Sequence, residues 1–255
     1  MDQFTVHPVR PNVEVRITRE MPPIHAALDA RISAIWAKAA ARVEAGGAGR
    51  LFNGQVFSID TITPDLIAGH MTEYRRLVAQ MEEHTLFAEL GLRSLAATGV
   101  LLCSGGVLIG RRPAAAIYQP GMWQLCPAGS VDSGARQADG TMDYRAQLLT
   151  EIREELGLEA AGISGVTPLC VVEHAGSHVC DFGMKVHTSL APEAIREAHR
   201  IRGNGEYDPL RIVPVPELPV FIDWAGATLV PPAPIFLTYA GLLPPAFTGD
   251  AQDTG

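Results

Sequence analysis

One segment constrains the fold more than any other: residues 143–158, DYRAQLLTEIREELGL, have the pattern of a helix with both of its ends marked. Asp143 is suited to cap the N-terminus, because its side-chain oxygen can accept hydrogen bonds from the first free backbone amides. Gly157 lies where a glycine commonly ends a helix. Short apolar segments divided by glycine and proline precede and follow this helix, and they predict strands.

The composition is typical of a folded protein that does not bind nucleic acid. The chain has 255 residues, which is enough for one large domain or for one ordinary domain with an extension. Hydrophobic residues make up 47% and charged residues 19%, which excludes a disordered or fibrous chain. The formal net charge of −8 disfavours nucleic-acid binding, because phosphate backbones require clustered Lys and Arg. A small phosphorylated substrate is compatible with this negative charge, since divalent metal ions can bridge carboxylates to phosphates.

The cysteines and the first residues indicate a reducing compartment. Cys103, Cys126, Cys170 and Cys180 show no CxxC spacing, so we expect buried thiols rather than a zinc site or disulfides. The segment MDQFTVHPVRPN lacks the apolar core of a signal peptide, and no run approaches the ~18 apolar residues of a membrane span. We therefore expect a cytoplasmic protein with no membrane partner. The oligomeric state stays open, with a homodimer as one alternative.

The pattern of the chain changes near residue 92. Residues 1–91 are predicted to form an N-terminal α/β extension, with a strand in NVEVRIT and an amphipathic helix in IHAALDARISAIWAKAAARVEAGG. Residues 92–243 carry most of the short apolar segments, with a hairpin connection expected at Gly105 and Gly106. Residues 244–255 are predicted to form a mobile tail.

Three carboxylates gather on the helix predicted over residues 143–158. Glu151 lies three residues before Glu154 and four before Glu155, so it faces both of them across one turn. A cluster of acidic oxygens is what a hard cation such as Mg²⁺ requires. The same spacing is also common on solvated surface helices, and short motifs match by chance. The helix alone leaves both interpretations open.

The segments around this helix resemble the Nudix hydrolase family. The box of that family runs from a glycine through five residues to a glutamate, and through seven more to REUxEExGU, where U is aliphatic. TEIREELGL, residues 150–158, matches eight of these last nine positions. The preceding segments GRR, PGMW and PAG occur in the family's order, with Gly129 in the place of the box glycine. The resemblance covers about residues 93–220.

This resemblance implies an α/β fold, an α/β/α sandwich on a mixed sheet with the N-terminal α/β extension covering one side. It implies a pyrophosphohydrolase in which Mg²⁺, or Mn²⁺ in its place, assists the attack of water on a phosphorus of a nucleoside diphosphate derivative. Glu151, Glu154 and Glu155 would bind the metal together with the backbone carbonyl of Gly129, and Glu154 would also be catalytic. Within the family, the long N-terminal region and PAGSVD resemble the nucleoside-diphosphate-sugar hydrolases, including the type that cleaves UDP-glucose.

The box departs from the family pattern in two ways. Seven residues, ARQADGT at 135–141, are inserted after Gly134. Counting back from Glu151 then places Met142 at the first box glutamate and Thr150 at the box arginine. These losses favour a rival interpretation, a catalytically weak or inactive Nudix-like module that binds a nucleotide, whereas the retained glutamates favour an enzyme. An isomerase on the same scaffold is a third alternative, but its residue pattern is not found here.

Further candidates lie outside the helix. Glu206, in a loop before a late strand, is the candidate for an additional metal ligand or general base, with a surface glutamate as the alternative and Glu173 as its competitor. Arg111 and Arg112 are candidates to bind phosphate. Because neighbours on a strand point to opposite faces, we expect at most one of the two to do so.

We expect neither zinc binding from three further histidines nor base stacking from a tryptophan. His174, His178 and His187 lie along a predicted hairpin, where their spacing does not bring them together as it would on a helix. Polar or substrate-contact roles are therefore favoured over zinc binding. Trp123 is predicted to fill the hydrophobic layer beside the box rather than to stack on a base.

Overall fold

The computed structural model describes residues 4–46 and 50–245. The strands run over Phe4–Pro8 (β1), Glu14–Ile17 (β2), Gln55–Ile62 (β3), Leu66–Glu73 (β4), Leu95–Cys103 (β5), Gly106–Arg111 (β6), Trp123–Leu125 (β7), Ala128–Ser130 (β8), Ile163–His174 (β9), Cys180–Thr188 (β10) and Leu210–Val213 (β11). The α-helices run over Ala26–Ala45 (α1), Tyr74–Glu82 (α2), Phe87–Leu90 (α3), Tyr144–Leu156 (α4), Pro192–Arg202 (α5), Leu218–Ala225 (α6) and Pro232–Tyr239 (α7).

An eight-stranded mixed sheet forms the centre of the molecule. Its strands follow the order β1-β9-β10-β5-β6-β11, with β7 beside β6 and β8 beside β5. β10 runs parallel to β5, and the other pairs are antiparallel. Apolar residues of α4 and α5 share one core with the sheet, and those of α6 and α7 share another. Since neighbouring strand residues face opposite sides, these cores lie on the two faces. The predicted α/β sandwich on a mixed sheet is confirmed.

A smaller sheet of three strands, in the order β2-β4-β3, lies beside the large one. The helices α1 and α2 pack together through a separate apolar cluster that includes Ile32 and Ala79. Phe57 and Ile67 from the small sheet join the core of α4, so the two sheets share buried surface. β1, which belongs to the predicted extension, pairs with β9 of the large sheet. The boundary near residue 91 stays a prediction.

The ends of α4 have the geometry that the sequence predicts. The side chain of Asp143 accepts a hydrogen bond from the amide of Ala146 at 2.9 Å. Gly157 follows the last helical residue with a φ of +66°, a left-handed conformation that favours glycine. The hairpin between β5 and β6 also turns at the expected place, where Cys103 pairs with Gly106. These local predictions are confirmed.

The inserted residues 135–141 form a tight turn against the small sheet. The amide of Gln137 donates to the carbonyl of Thr141 at 2.8 Å, and the amide of Ile17 in β2 donates to the carbonyl of Gly140 at 2.9 Å. Met142 follows directly and is buried in the core of α4 with 2% exposure. The insertion therefore joins the entry of α4 to β2.

Two further expectations concern the periphery of the molecule. Residues 246–255, most of the predicted mobile tail, lie outside the described residues. Across residues 4–46 and 50–245, none of the helices combines the length and the apolar character needed to cross a bilayer.

Candidate functional site

Two glutamates of α4 are withdrawn from solvent beside β8. Glu155 is only 3% exposed, and its Oε2 accepts a hydrogen bond from the amide of Ala128 at 3.0 Å. Glu151 is half-buried, and its Oε1 accepts from Nε2 of Gln147 at 2.8 Å. A Cβ at Gly129 would lie 2.2 Å from that same Oε1. The absence of a side chain at Gly129 therefore lets the Glu151 carboxyl lie directly against β8.

The raised pKa values of Glu151 and Glu155 indicate that the site lacks a positive counter-charge. Burial raises the pKa of Glu151 to about 7, and the charges of Glu154, Asp132 and Glu206 add to the rise. Burial also raises the pKa of Glu155 well above its usual range, and the charges of Glu151 and Glu206 raise it further. Two carboxylates in a dry, mutually repulsive environment are costly without a counter-charge. A divalent cation would supply that charge, so the residues present fit a metal ion.

The other two predicted carboxylates lie farther out. The side chain of Glu154 is more than half exposed and lies 3.7 Å from Nη2 of Arg153. Its backbone carbonyl accepts a hydrogen bond from the amide of Asn204 at 3.0 Å, which holds the loop of Glu206 beside α4. The structure thus brings Glu206 toward the buried pair and leaves the Glu154 side chain facing solvent.

The complete ligand set is not assembled by side chains alone. Within the described ranges 4–46 and 50–245, no group of three or more His, Cys, Asp or Glu side chains converges closely enough to hold a metal ion. Glu151, Glu154, Glu155 and Gly129 as metal ligands therefore stay a prediction, as does the catalytic assignment of Glu154 and Glu206.

The backbone of β8 presents Ala128 to the carboxylates. Gly129 pairs with Ala97 of β5. Backbone hydrogen bonds join the two strands two residues before and two residues after this pair. Because hydrogen-bonded pairs recur at every second residue of an antiparallel ladder, the carbonyl of Gly129 faces β5. The amide of Ala128 instead points away from β5 and donates to Glu155. Because the amide and carbonyl of an extended residue in an antiparallel strand point to the same side, the Ala128 carbonyl also faces α4.

A cavity of about 900 Å³ opens beside this site. Ala128 and Gly129 of β8 line it, which connects the cavity to the carboxylate pair. Beside the loop at residues 113–118, two groups of residues form much of the remaining lining. Apolar and aromatic residues come from the N-terminal part of the chain: Val43, Leu51, Tyr74, Leu77 and Met81. Polar residues come from the large sheet and its loops: Arg112, Gln124, Asp181, Asn204 and Glu206.

The two predicted arginines lie in different environments. Arg112 lines the cavity with a side chain that is 14% exposed, and its Nη1 donates to Oε1 of Gln124 at 2.5 Å. Its Nη2 lies 3.8 Å from Oε1 of Glu206. Its Nε is buried and has no hydrogen-bond partner in the described part of the chain, so one donor stays unused. Arg111 is exposed and donates to the carbonyl of Gly121 at 3.0 Å.

Asp181 is a cavity residue that the sequence reasoning missed. It lies on β10 with 6% exposure, and burial raises its pKa to about 6. The signal was present in the sequence, since a carboxylate within the apolar strand VCDFGMKV is unusual for a buried position. No neighbouring residue extends Asp181 into a recognisable motif, so the sequence alone does not mark it as a site residue.

Glu173 and the histidines lie outside the carboxylate site. Burial alone would raise the pKa of Glu173, but hydrogen bonds with His7 and Arg93 hold this pKa at about 2. Nη2 of Arg93 lies 2.5 Å from Oε2 of Glu173. His178 stacks on Phe87 at 3.4 Å between ring centroids. The structure therefore places Glu173 in an ion-pair cluster and does not bring it to the α4 glutamates.

The remaining aromatic candidate is structural. Trp123 is 4% exposed and belongs to the core that α6 and α7 share with the sheet. Its ring contacts that of Phe221 edge-on at 5.6 Å between centroids. It therefore fills the apolar layer, as the sequence predicts.

Known proteins resemble the chain only distantly. No family model matches it, and no curated protein matches it. Among solved structures, DR0079 from Deinococcus radiodurans is 16% identical over 74% of this chain and 98% of its own, with a TM-score of 0.45. RenU, a Nudix hydrolase from M. smegmatis, is 20% identical over 50% of this chain and 74% of its own, with a TM-score of 0.35. An Ap4A hydrolase from C. elegans is 16% identical over 51% of this chain and 87% of its own, with a TM-score of 0.33. Likenesses this distant do not decide the activity.

Proposed function

We propose that the chain is a Nudix-type pyrophosphohydrolase that uses Mg²⁺, or Mn²⁺ in its place, to hydrolyse the diphosphate linkage of a nucleoside diphosphate derivative. The observation that carries this proposal is the pair of carboxylates formed by the buried Glu155 and the half-buried Glu151, beside a cavity of about 900 Å³. A pair of like charges in a dry site is expected where a hard cation binds. The sequence pattern around α4 supports the same chemistry.

The residues take distinct roles in this proposal. Glu151 and Glu155 bind the metal, with Glu154 and a backbone carbonyl of β8, that of Gly129 or Ala128, as further ligands. When bound, the metal neutralises phosphate oxygens and lowers the pKa of a water molecule. Glu206 is the candidate to accept the proton of the attacking water, because it lies at the rim of the same site.

Arg112 and the N-terminal part of the chain hold the substrate. Arg112 has an unused donor beside the cavity and is the candidate to bind a phosphate oxygen. Tyr74, Leu77 and Met81 of α2 add an apolar part to the cavity lining, which suits the organic part of a small phosphorylated substrate. We propose a nucleoside diphosphate sugar as the substrate type, because the cavity volume is adequate for a molecule of that size.

A substrate screen tests the proposal directly. The full chain is incubated with UDP-glucose, dinucleotides and nucleoside triphosphates, with Mg²⁺, with Mn²⁺ or with EDTA, and the phosphorylated products are separated by ion-exchange chromatography. We expect hydrolysis that requires the metal. Glu155→Gln should lower kcat by about 100-fold or more with an unchanged circular dichroism spectrum, because it removes a charged ligand.

Glu159→Gln is the matched control, since Glu159 is exposed just beyond the same helix. Hydrolysis of equal rate in EDTA, or normal turnover by Glu155→Gln, contradicts the metal assignment. Binding of nucleotides without hydrolysis would favour the alternative that Met142 and Thr150 raise, an inactive nucleotide-binding module.

A further inference from the structure

Asp181 is a buried carboxylate in the wall of the cavity, and no role above uses it. It is 6% exposed and lines the cavity from β10. Over residues 4–46 and 50–245 its carboxyl takes part in one side-chain hydrogen bond, from Oγ1 of Thr98 at 3.4 Å, and in no ion pair. A buried carboxylate held by a single long hydrogen bond is poorly satisfied. Donor groups from a ligand would satisfy it.

Short side chains lie beside Asp181 in the direction of β5 and β8. The strand register places it beside Ala96 of β5, and Ala96 pairs with Ser130 of β8. Paired residues on neighbouring strands point to the same face of a sheet. Ala96 and Ser130 both line the cavity, so this face has space beside the carboxyl for part of a ligand.

Gln124 provides a hydrogen-bond donor on the same wall. Its Oε1 accepts from Nη1 of Arg112 at 2.5 Å, and because a guanidinium only donates, this contact fixes which end of the amide is oxygen. The Nε2 group of Gln124 is then left as a donor. Gln124 and Asp181 line the cavity together and also share a small recess under Phe236. The wall thus offers an acceptor and a donor to one ligand.

We propose that Asp181 determines substrate specificity by accepting a hydrogen bond from an N–H or O–H group on the organic part of the substrate, with Gln124 donating to a neighbouring acceptor. This inference rests on the proposed function, since it names the chemistry that the substrate must carry. Two parts of a nucleoside diphosphate sugar offer it. One is the nucleoside, through its ribose hydroxyls or a base edge where an N–H lies next to a carbonyl, and the other is the hydroxyls of the sugar.

Binding of analogues that cannot be hydrolysed tests the role of Asp181 apart from turnover. Methylene-bridged UDP and methylene-bridged UDP-glucose carry CH₂ in place of the bridging oxygen. Their dissociation constants are measured by calorimetry with Mg²⁺ for the full chain, for Asp181→Asn and for Asp181→Ala. Loss of a hydrogen bond to a charged group corresponds to about tenfold or more in affinity. A loss for both analogues assigns the donor to the nucleoside, and a loss for UDP-glucose alone assigns it to the sugar.

Two controls keep the result specific. Asp223→Asn removes a carboxylate from the exposed face of α6 and should leave both dissociation constants unchanged. The Mg²⁺ affinity of Asp181→Asn should equal that of the unmodified chain, because Asp181 does not contact the α4 glutamates. The inference is overturned if Asp181→Ala binds both analogues as tightly as the unmodified chain, or if the unmodified chain binds neither. Normal binding of the analogues without hydrolysis of UDP-glucose would contradict the proposed function and leave this inference standing.

Discussion

Replacing Glu151 with Gln should stabilise the metal-free protein at alkaline pH and abolish its stabilisation by Mg²⁺. The Glu151 carboxyl is held against β8 in a half-buried position, where burial and nearby carboxylates raise its pKa from 4.5 to about 7. Glutamine has nearly the same shape and can still accept the hydrogen bond from Gln147. The substitution therefore removes the charge with little change in packing.

The size of the effect follows from the pKa shift of Glu151. A rise from 4.5 to about 7 corresponds to roughly 3 kcal/mol, at about 1.36 kcal/mol per unit. Because the folded pKa lies above the unfolded one, the ionised carboxylate destabilises the fold. The penalty is absent below the unfolded pKa, grows as the pH rises toward 7, and is constant above it. Mg²⁺ binding to the ionised form offsets this penalty.

Urea unfolding in EDTA at pH 5 and pH 8 measures the effect. Relative to the unmodified chain, we expect Glu151→Gln to gain roughly 3 kcal/mol at pH 8 and under about 1 kcal/mol at pH 5. Added Mg²⁺ should stabilise the unmodified chain at pH 8 but not the variant. Glu159→Gln, the exposed control, should change neither quantity. An equal gain at the two pH values, or an undiminished response of the variant to Mg²⁺, would refute the reasoning.

Three other substitutions address separate features. Gly129→Ala should lower metal-dependent turnover about 100-fold, because its Cβ would lie 2.2 Å from Oε1 of Glu151. Gly54→Ala is the control and should leave turnover unchanged, because its Cβ would meet its nearest neighbour at 3.6 Å. Met142→Glu should lower the free energy of unfolding by about 3 kcal/mol in urea, since it buries a charge at a position that is 2% exposed; an unchanged midpoint would contradict this. Arg112→Ala should raise KM more than it lowers kcat in initial-rate assays, and an effect on kcat alone would argue against phosphate binding in the ground state.

The features that the sequence predicts well are those decided by neighbours in the chain. Asp143 and Gly157 mark the ends of α4 because capping depends on residues within one helical turn. Gly105 and Gly106 mark a hairpin for the same reason. The carboxylate pattern on α4 is also local, since one turn of helix brings Glu151 beside Glu155.

Features that depend on strand pairing and on contacts between distant parts of the chain cannot be predicted from the sequence. Tyr74 and Asp181 line the same cavity although they lie far apart in the chain, and only the tertiary structure brings α2 and β10 to that cavity. Local periodicity contains no information about such contacts. The choice between the carbonyls of Ala128 and Gly129 depends on the register of β8 against β5, and a shift of one residue would exchange them.

The pairing of β1 with β9 has a consequence for how the chain can fold and be shortened. Phe4 lies opposite His174, so the first strand cannot dock until nearly the whole large sheet has been synthesised. If β1 is removed, residues 170–174 of β9 lose their pairing partner and expose backbone amides and carbonyls along that side. Such an edge is a template for pairing with other chains. A shortened chain that begins near residue 92 should therefore self-associate through β9, even where its own core is intact.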